Sequence, residues 1–219
     1  MIFAITFVLL IAAYLLGSFP TGYLAGRLLK GIDIREHGSG STGATNVLRT
    51  LGKIAGSVVL LTDVFKGVAA VGLVQLLFRL TQFSEISANL PLLIVGTAAM
   101  AILGHSKSVW LGWKGGKSVA TGLGVLLAMN WQVALLTLGV FGVSIGITRI
   151  VSISSIFGAL AVAVLMFIYH QPLAYVIFTA VGGAYVIWLH RANIQRLLNG
   201  TEPQLGKGST SSESTQQPS

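Results

Sequence analysis

The hydrophobic positions of this chain form long apolar runs that are separated by short polar segments. A run of roughly 20 apolar residues is long enough to cross a bilayer as an α-helix. The pattern therefore predicts an all-α integral membrane protein built as a bundle of seven transmembrane helices. We expect the spans at residues 2–27, 54–80, 90–103, 119–129, 131–147, 151–169 and 173–189.

The first and fourth runs need the most interpretation. No positively charged segment precedes the first run, so we interpret it as a retained helix and not as a cleaved signal peptide. The fourth run has only about a dozen apolar residues, fewer than a straight crossing requires. If it crosses the membrane, it must be tilted, kinked or buried among its neighbours.

Composition supports the membrane assignment. With 53% hydrophobic residues, 9% charged residues and a mean hydropathy of +0.81, the chain is too apolar for an ordinary soluble domain. It has no cysteine, which excludes disulfides, thiolate metal sites and a cysteine nucleophile. We expect residues 1–205 to form one membrane-embedded domain. Residues 206–219 are mostly Gly, Ser, Thr, Gln and Pro, which predicts a disordered cytoplasmic tail.

The net charge of +8 indicates the orientation of the bundle. The basic residues are spread along short loops and do not form one polar face, so nucleic acid is not an expected partner. With seven spans, Lys66 lies inside a helix and only Arg79 falls on the side opposite the other basic residues. The positive-inside rule makes the basic side cytoplasmic, which puts the N-terminus outside and the C-terminus in the cytoplasm. The basic residues on the cytoplasmic side are those at positions 27, 30, 35, 49, 53, 107, 114, 117, 149, 191, 196 and 207.

The densest cluster of small and hydroxylated residues follows the first span, at residues 38–46, with Arg49 shortly after. Glycines let the backbone turn and point several N–H groups at one place, and Ser and Thr hydroxyls add further donors. This composition predicts an anion-binding loop, although Gly and Ser also mark close helix contacts in membranes. The candidate ligands are Gly38, Ser39, Gly40, Ser41, Gly43, Thr45, Asn46 and Arg49.

A second glycine-rich loop, with Gly115, Gly116 and Lys117, opens the fourth apolar run. A nucleotide P-loop requires glycine six residues before its lysine, and that position is Leu111, so the P-loop interpretation fails. A Gly-Gly-Lys-Ser turn at a helix N-terminus still favours a bound anion. The nearby tryptophans at positions 110 and 113 indicate an interfacial belt better than a base-stacking platform.

Asp63 and Lys66 lie three residues apart within the second span and share one helix face. Pairing lowers the free-energy cost of charge at membrane depth, and pairing alone is a sufficient explanation. The alternative is that Lys66 faces the same polar cavity as the glycine-rich loops and binds phosphate, because charged residues inside spans often mark a functional site.

Together with serines at 152–155 and with His190 and Asn193, the two loops predict a site for a substrate that carries more than one phosphate-like charge. No spacing of carboxylates and histidines resembles a metal site, and no Ser-His-acid set is visible, so we expect neither a metal nor another cofactor. His190 by itself is more typical of an interfacial histidine than of a catalyst.

Two other classes of protein also fit part of this pattern. A secondary transporter of a small phosphorylated or anionic solute also uses glycine breaks and helix N-termini around a cavity. A transporter should show two related halves, and the short echo between residues 43–45 and 119–122 is too brief to count. A purely structural membrane protein would leave the donor clusters unexplained.

Three motifs carry a family resemblance. They resemble the signature regions of the bacterial acyl-phosphate-dependent glycerol-3-phosphate acyltransferases, the PlsY family. The three motifs are residues 38–46 with Arg49, Gly104-His105 followed by residues 115–121, and residues 190–194 followed by 200–202. The resemblance extends over about 205 residues. It implies a seven-helix enzyme of the bacterial plasma membrane, in contact with the lipid bilayer, with its active site toward the cytosol. We expect the enzyme to be a monomer. The implied reaction transfers a fatty acyl group from acyl phosphate to sn-glycerol 3-phosphate in phospholipid biosynthesis.

Carried over by position, the resemblance implies that Ser39, Arg49, Lys117 and Ser155 contact substrate phosphates and that His190 and Asn193 complete the catalytic set. This chain departs from many relatives at Ser41-Thr42 and at residues 106–110. Acyltransferases that use thioesters place an aspartate five residues after a histidine, and none of the four histidines here has one. We therefore expect a substrate phosphate oxygen to accept the proton.

Overall fold

The computed structural model of the chain describes residues 2–81 and 89–206, and these residues are α-helical apart from turns, loops and two short 3-10 helices, Ile34–Glu36 and Val109–Leu111. Most of the predicted tail, residues 207–219, lies outside the described residues. The helices are α1 (Ile2–Ser18), α2 (Thr21–Lys30), α3 (Ala44–Leu51), α4 (Lys53–Thr81), α5 (Leu90–Ser106), α6 (Val119–Met129), α7 (Trp131–Thr148), α8 (Val151–Ile168), α9 (Leu173–Leu189) and α10 (Arg191–Leu198).

The helices confirm the predicted all-α integral membrane architecture. Within the described residues, five candidate spans are long and apolar enough to cross a bilayer, and α9 with α10, bent by 56°, adds a sixth. The five are Phe3–Lys30, Lys53–Leu80, Leu90–Leu111, Trp131–Thr148 and Val151–Ile168. Helix α6 has 11 residues, about 16 Å at 1.5 Å per residue, and is too short to cross a core of about 30 Å by itself.

The first predicted span is broken. Helix α1 ends at Ser18 and α2 begins at Thr21, with Phe19 and Pro20 between them. Proline has no backbone N–H and disfavours the helical conformation of the residue before it, which explains the interruption. The break exposes the carbonyl of Phe19 to side chains from other helices.

Small residues bring the helices into close contact. A Cβ at Gly17 would overlap the Ala101 carbonyl, so α1 and α5 approach backbone to backbone. Helices α4 and α6 meet in the same way, because a Cβ at Gly67 would overlap the Thr121 carbonyl. Membrane helices lack a hydrophobic driving force toward one another, and close packing of this kind is their main source of association.

The contacts of α6 show how deeply the second glycine-rich loop enters the bundle. The first turn of α6 packs beside Gly67, near the middle of α4. Gly67 lies 14 residues after the start of α4 at Lys53, about 20 Å along the helix. The loop that precedes α6 therefore lies level with the first half of α4 and inside the bundle, which accounts for the short fourth run.

One end of the bundle gathers the polar segments. Lys30 Nζ donates to the Thr50 carbonyl at 2.9 Å, which ties α2 to α3. Ser108 Oγ donates to the Ser18 carbonyl at 2.7 Å, which ties the loop after α5 to the end of α1. The backbone N–H of Leu205 donates at 2.8 Å to the carbonyl of Arg149, which lies between α7 and α8. The loops with the candidate ligands thus share one end of the fold.

Candidate functional site

Asn46 shapes the first glycine-rich loop. Its side-chain N–H groups donate to the carbonyls of Ile34, His37 and Ser41 at 2.9–3.0 Å, and its Oδ1 accepts from the Ser39 N–H at 2.9 Å. The side chain is buried. The amide of Asn46 therefore holds the loop's shape, and phosphate binding by Asn46 stays a prediction.

Several donors of this loop are likewise used internally. The N–H of Gly40 donates to the His37 carbonyl, and the N–H of Gly43 donates to Ser41 Oγ at 3.2 Å. Gly38 and Gly40 have φ of 58° and 69°, a conformation that favours glycine, and both turn the chain here. Gly43 caps the N-terminus of α3, and Thr45 lies half-buried in its first turn.

Ser39 and Arg49 project from the exposed side of this region. Among the described residues, the Ser39 hydroxyl has no hydrogen-bond partner. Arg49 Nη2 donates to the Pro203 carbonyl at 3.3 Å, which leaves further guanidinium donors for a ligand. These two side chains are the exposed hydroxyl and guanidinium donors of residues 38–49.

The second glycine-rich loop rests on His105. The Gly116 N–H donates to the His105 carbonyl at 3.1 Å. A Cβ at Gly115 would overlap that carbonyl, and a Cβ at Gly116 would overlap His105 Nε2. The two glycines are thus required for contact with His105, and donation by this loop to phosphate stays a prediction.

This contact places Lys117 beside the third motif, residues 190–194 and 200–202. Lys117 Nζ donates to Asn193 Oδ1 in the first turn of α10. His190, which ends α9, is buried, and its Nδ1 lies 2.7 Å from the Val186 carbonyl. A carbonyl only accepts, so Nδ1 carries the proton, and Nε2 of the neutral ring is left as an acceptor.

Glu202 joins these segments, although we did not predict it as a site residue. Its Oε1 accepts from Asn193 Nδ2 at 2.6 Å and from Ser152 Oγ at 2.8 Å, and its Oε2 accepts from Arg196 Nε at 2.7 Å. The sequence signal was present in the third motif, where Glu202 is a rare acid in a basic chain. The carboxylate connects the start of α8 with α10.

The charges around Lys117 and Glu202 favour the binding of an anion. Burial lowers the pKa of the Lys117 ammonium to about 8; Glu202 opposes this shift, and Arg196 and Arg49 add to it. For Glu202, burial raises the pKa, but hydrogen bonds from Asn193, Ser152 and Arg196 outweigh it, and the net shift is downward. Glu202 is therefore ionised at neutral pH beside several cations.

Ser155 and Lys66 are less available than predicted. Ser155 Oγ donates to the Val151 carbonyl of its own helix at 2.8 Å, which uses its proton. Lys66 Nζ lies 2.9 Å from Asp63 Oδ1 and donates to the Phe19 carbonyl at 3.2 Å. The structure thus shows the Asp63–Lys66 pair that the spacing allowed, and phosphate binding by Ser155 or Lys66 stays a prediction.

The predicted ligands therefore divide into two groups at one end of the bundle. Arg49, Lys117 and Asn193 are linked through Glu202 and its neighbour Pro203, with His190 at the end of α9. Residues 38–46 and 115–116 form the loops that carry the first two. Among the described residues, no group of three His, Asp or Glu side chains could hold a metal ion.

The sequence matches known proteins of one family. The family model described as glycerol-3-phosphate acyltransferase matches residues 7–200. The chain is 58% identical over 207 residues to the glycerol-3-phosphate acyltransferase of Acaryochloris marina (strain MBIC 11017), covering 91% of this chain and 92% of that protein. It is also 58% identical to the glycerol-3-phosphate acyltransferase of Rippkaea orientalis (strain PCC 8801 / RF-1), covering 94% and 96%.

Solved structures of the same kind of enzyme share the fold. A crystal structure of PlsY (YgiH), an integral membrane glycerol 3-phosphate acyltransferase, in its glycerol 3-phosphate form, superposes with a TM-score of 0.81 at 38% identity and covers 92% of this chain and 96% of that one. The lysophosphatidic acid form of PlsY gives 0.78 at 38% identity and covers 92% and 95%. The chain therefore belongs to the glycerol-3-phosphate acyltransferase family and is an integral membrane acyltransferase.

Proposed function

We propose that the enzyme transfers a fatty acyl group from acyl phosphate to the 1-hydroxyl of sn-glycerol 3-phosphate. The products are 1-acyl-glycerol 3-phosphate, or lysophosphatidate, and inorganic phosphate. Both substrates carry a phosphate group. This fits a site that offers several cationic donors and whose carboxylate, Glu202, is already paired with Arg196. The observation that carries the proposal is the linked set of Arg49, Lys117, Asn193 and Glu202 at one end of the bundle.

Arg49 and Lys117 hold the two phosphates in this proposal, and Ser39 adds a hydroxyl donor. Glu202 is bound on both oxygens, so it orients Asn193 and balances the local charge without meeting the substrate as a free anion. Its negative charge offsets the repulsion among the nearby cations while a phosphate is absent. The site is thus preorganised for anionic oxygens.

The reaction needs alignment more than it needs a strong base. The hydroxyl oxygen attacks the acyl carbonyl carbon, the bond from that carbon to the phosphate oxygen breaks, and the phosphate leaves with the bonding electrons. The hydroxyl proton ends on a phosphate oxygen. His190 Nε2 accepts a hydrogen bond from the hydroxyl and orients it, while Lys117 and Arg49 stabilise the departing charge.

An apolar groove accommodates the acyl chain in this proposal. The groove has a volume of about 580 Å³ and is lined by one face of α7, from Leu136 to Thr148, and by Phe157 of α8. The groove starts at Thr148, close to the polar end, and runs about 18 Å along α7. One leaflet of hydrocarbon is about 15 Å deep, so a membrane-borne acyl chain fits its length.

The orientation follows from the basic residues. We propose that the enzyme resides as a monomer in the bacterial plasma membrane, that the chain crosses seven times with the N-terminus outside, and that the site faces the cytoplasm. The short α6 then crosses together with the loop that precedes it. The positive-inside rule supports this arrangement, because the basic loops lie at the end that holds the site.

A direct assay tests the function. Purified protein is given labelled glycerol 3-phosphate and palmitoyl phosphate, and the expected product is labelled lysophosphatidate with release of one phosphate. Absence of product with acyl phosphate would contradict the proposed donor. The same protein in sealed vesicles tests the transporter alternative, which family membership disfavours: uptake of glycerol 3-phosphate without lysophosphatidate would support it.

Alanine variants test the two phosphate ligands. Arg49→Ala and Lys117→Ala should each reduce turnover about a hundredfold or more, because each removes one oriented charge from the developing phosphate. Arg79→Ala is the control, since it removes a basic residue at the far end of α4 and should leave turnover unchanged. Near-normal turnover in both site variants would contradict the assignment.

A further inference from the structure

Three ionisable side chains lie buried beneath the site and take no part in the chemistry proposed above. Asp63, Lys66 and His105, here called the buried triad, are 1%, 5% and 7% exposed. Asp63 Oδ1 lies 2.9 Å from Lys66 Nζ and 3.8 Å from His105 Nδ1. Charged groups at this depth are costly unless they are paired, so the triad requires an explanation.

The triad borders a cavity that is too small for a substrate. The cavity measures about 10 Å³ and is lined by the triad, by the α1–α2 break, by Thr42 and by residues 108 and 111. A volume of this size holds one water molecule at most. Pockets for small ligands are about 300 Å³ or larger, so neither phosphorylated substrate fits here.

On one side the triad supports the first glycine-rich loop. Thr21 Oγ1 donates to Asp63 Oδ1 at 3.2 Å, and Lys66 Nζ donates to the Phe19 carbonyl at 3.2 Å. Both bonds fix the start of α2. A Cβ at the next residue, Gly22, would overlap the Thr42 carbonyl, so α2 is in backbone contact with the loop that leads into α3.

On the other side the triad supports the second loop. The His105 ring faces Asp63, and the same residue touches Gly116 through both its ring and its carbonyl. Lys117 follows directly in the chain and donates to Asn193. One carboxylate therefore contacts groups that lead to each of the two loops.

We propose that the buried triad is a positioning device that fixes the separation of residues 38–43 and 115–117, and with it the distance between the two phosphate sites. This inference rests on the proposed function, because it assumes that the loops present two phosphates to each other. Asp63, Lys66 and His105 are positioning residues and do not contact substrate. Lys66 acts through its bonds to Asp63 and Phe19, in place of the direct phosphate contact that the sequence predicted.

The test uses charge-neutral replacements of similar size. Lys66→Met alone leaves the Asp63 carboxylate buried without its cation and should lower the melting temperature. Asp63→Asn combined with Lys66→Met removes both charges and should regain much of that loss. The control is Lys53→Met, the same change at an exposed position of the same helix, with wild-type stability and turnover expected.

Binding and turnover of the double variant separate the possible roles. We expect kcat to fall by about tenfold or more, because the two phosphates are misaligned. Binding of glycerol 3-phosphate alone, measured by calorimetry, should change by less than about threefold, since each loop still holds its own phosphate ligand. A positioning role predicts this split, whereas a ligand role predicts that binding weakens along with kcat/KM.

Two results would overturn the inference. The first is a folded double variant whose kcat stays within about twofold of wild type, and the second is equal loss of binding and kcat/KM. If the double variant does not fold, His105→Asn is measured with the same readouts and the same expectations, because it removes the ring between Asp63 and Gly116. A wild-type enzyme inactive with acyl phosphate would instead refute the proposed donor, so the two failures are distinguishable.

Discussion

At the scale of single residues, the side chains of the motifs divide into those whose donors are used within the loop and those whose donors stay free. Asn46 uses its amide on the backbone of its own loop, whereas Ser39 and Arg49 on the same loop keep donors for a ligand. Composition alone predicted that all three side chains bind an anion. The difference depends on where each side chain points, which sequence spacing does not specify in an irregular loop.

Gly116 offers a prediction at this scale. Gly116→Ala should lower turnover about a hundredfold, because a Cβ there would overlap the buried His105 ring and displace Lys117 by about an ångström. The matched control is Gly122→Ala in α6, where a Cβ would meet no atom within 4 Å. Steady-state kinetics of both variants provide the comparison, and equal turnover in the two would refute the proposed contact.

The pKa of Lys117 predicts a pH dependence. A lysine is charged below its pKa, so a pKa of about 8 means that the cation is present at neutral pH and lost as the pH rises through 8. The value of kcat/KM for glycerol 3-phosphate, which reports the free enzyme, should fall above that pH. In Lys117→Arg the guanidinium stays protonated. Any activity that this variant retains should lack the fall, and an unchanged pH profile would contradict the assignment to Lys117.

At the scale of helices, glycine decides which backbones touch. Gly67 of α4 and Gly124 of α6 face the partner helix so closely that a Cβ on either would overlap a carbonyl of the other helix. Their contact places the start of α6 beside the middle of α4. The position of the second glycine-rich loop, level with the first half of α4, is a consequence of this helix pair.

Alanine at these glycines tests the helix pair. Gly67→Ala and Gly124→Ala should each destabilise the protein by about 1–3 kcal/mol, since packed membrane helices must separate to admit the methyl group. Gly72→Ala lies on the same helix as Gly67 in open space and should be neutral or slightly stabilising. Thermal unfolding in detergent measures all three. Equal stability of Gly67→Ala and Gly72→Ala would show that the helices do not meet as described.

At the scale of the whole molecule, the chain's lack of cysteine makes topology directly testable. Lys114→Cys precedes α6 and Gln132→Cys follows it, and both native side chains are exposed. If α6 and its leading loop cross the membrane, a membrane-impermeant thiol reagent should label Gln132→Cys from outside the cell. It should label Lys114→Cys only after the membrane is opened. Labelling of both from the same side would refute the seven-span arrangement.

The sequence by itself determined the class and the family. Apolar runs of membrane length, the shortage of charge and three ordered motifs predicted an all-α membrane acyltransferase, and the structure and family comparisons confirm this. These features are local: the length and hydropathy of a run depend on neighbouring residues only. The spacing of Asp63 and Lys66 likewise predicted a pair, because a helix sets the geometry three residues apart.

The tertiary structure alone decided how those parts meet. The break at Phe19-Pro20, the packing of Gly116 on His105 and the role of Glu202 all join residues far apart in sequence. Such contacts depend on how glycine-lined helices pack and on which side chains then lie within hydrogen-bond distance of a buried partner. For that reason the sequence named candidate ligands, while only the fold showed which of their donors hold the loops in place and which stay free.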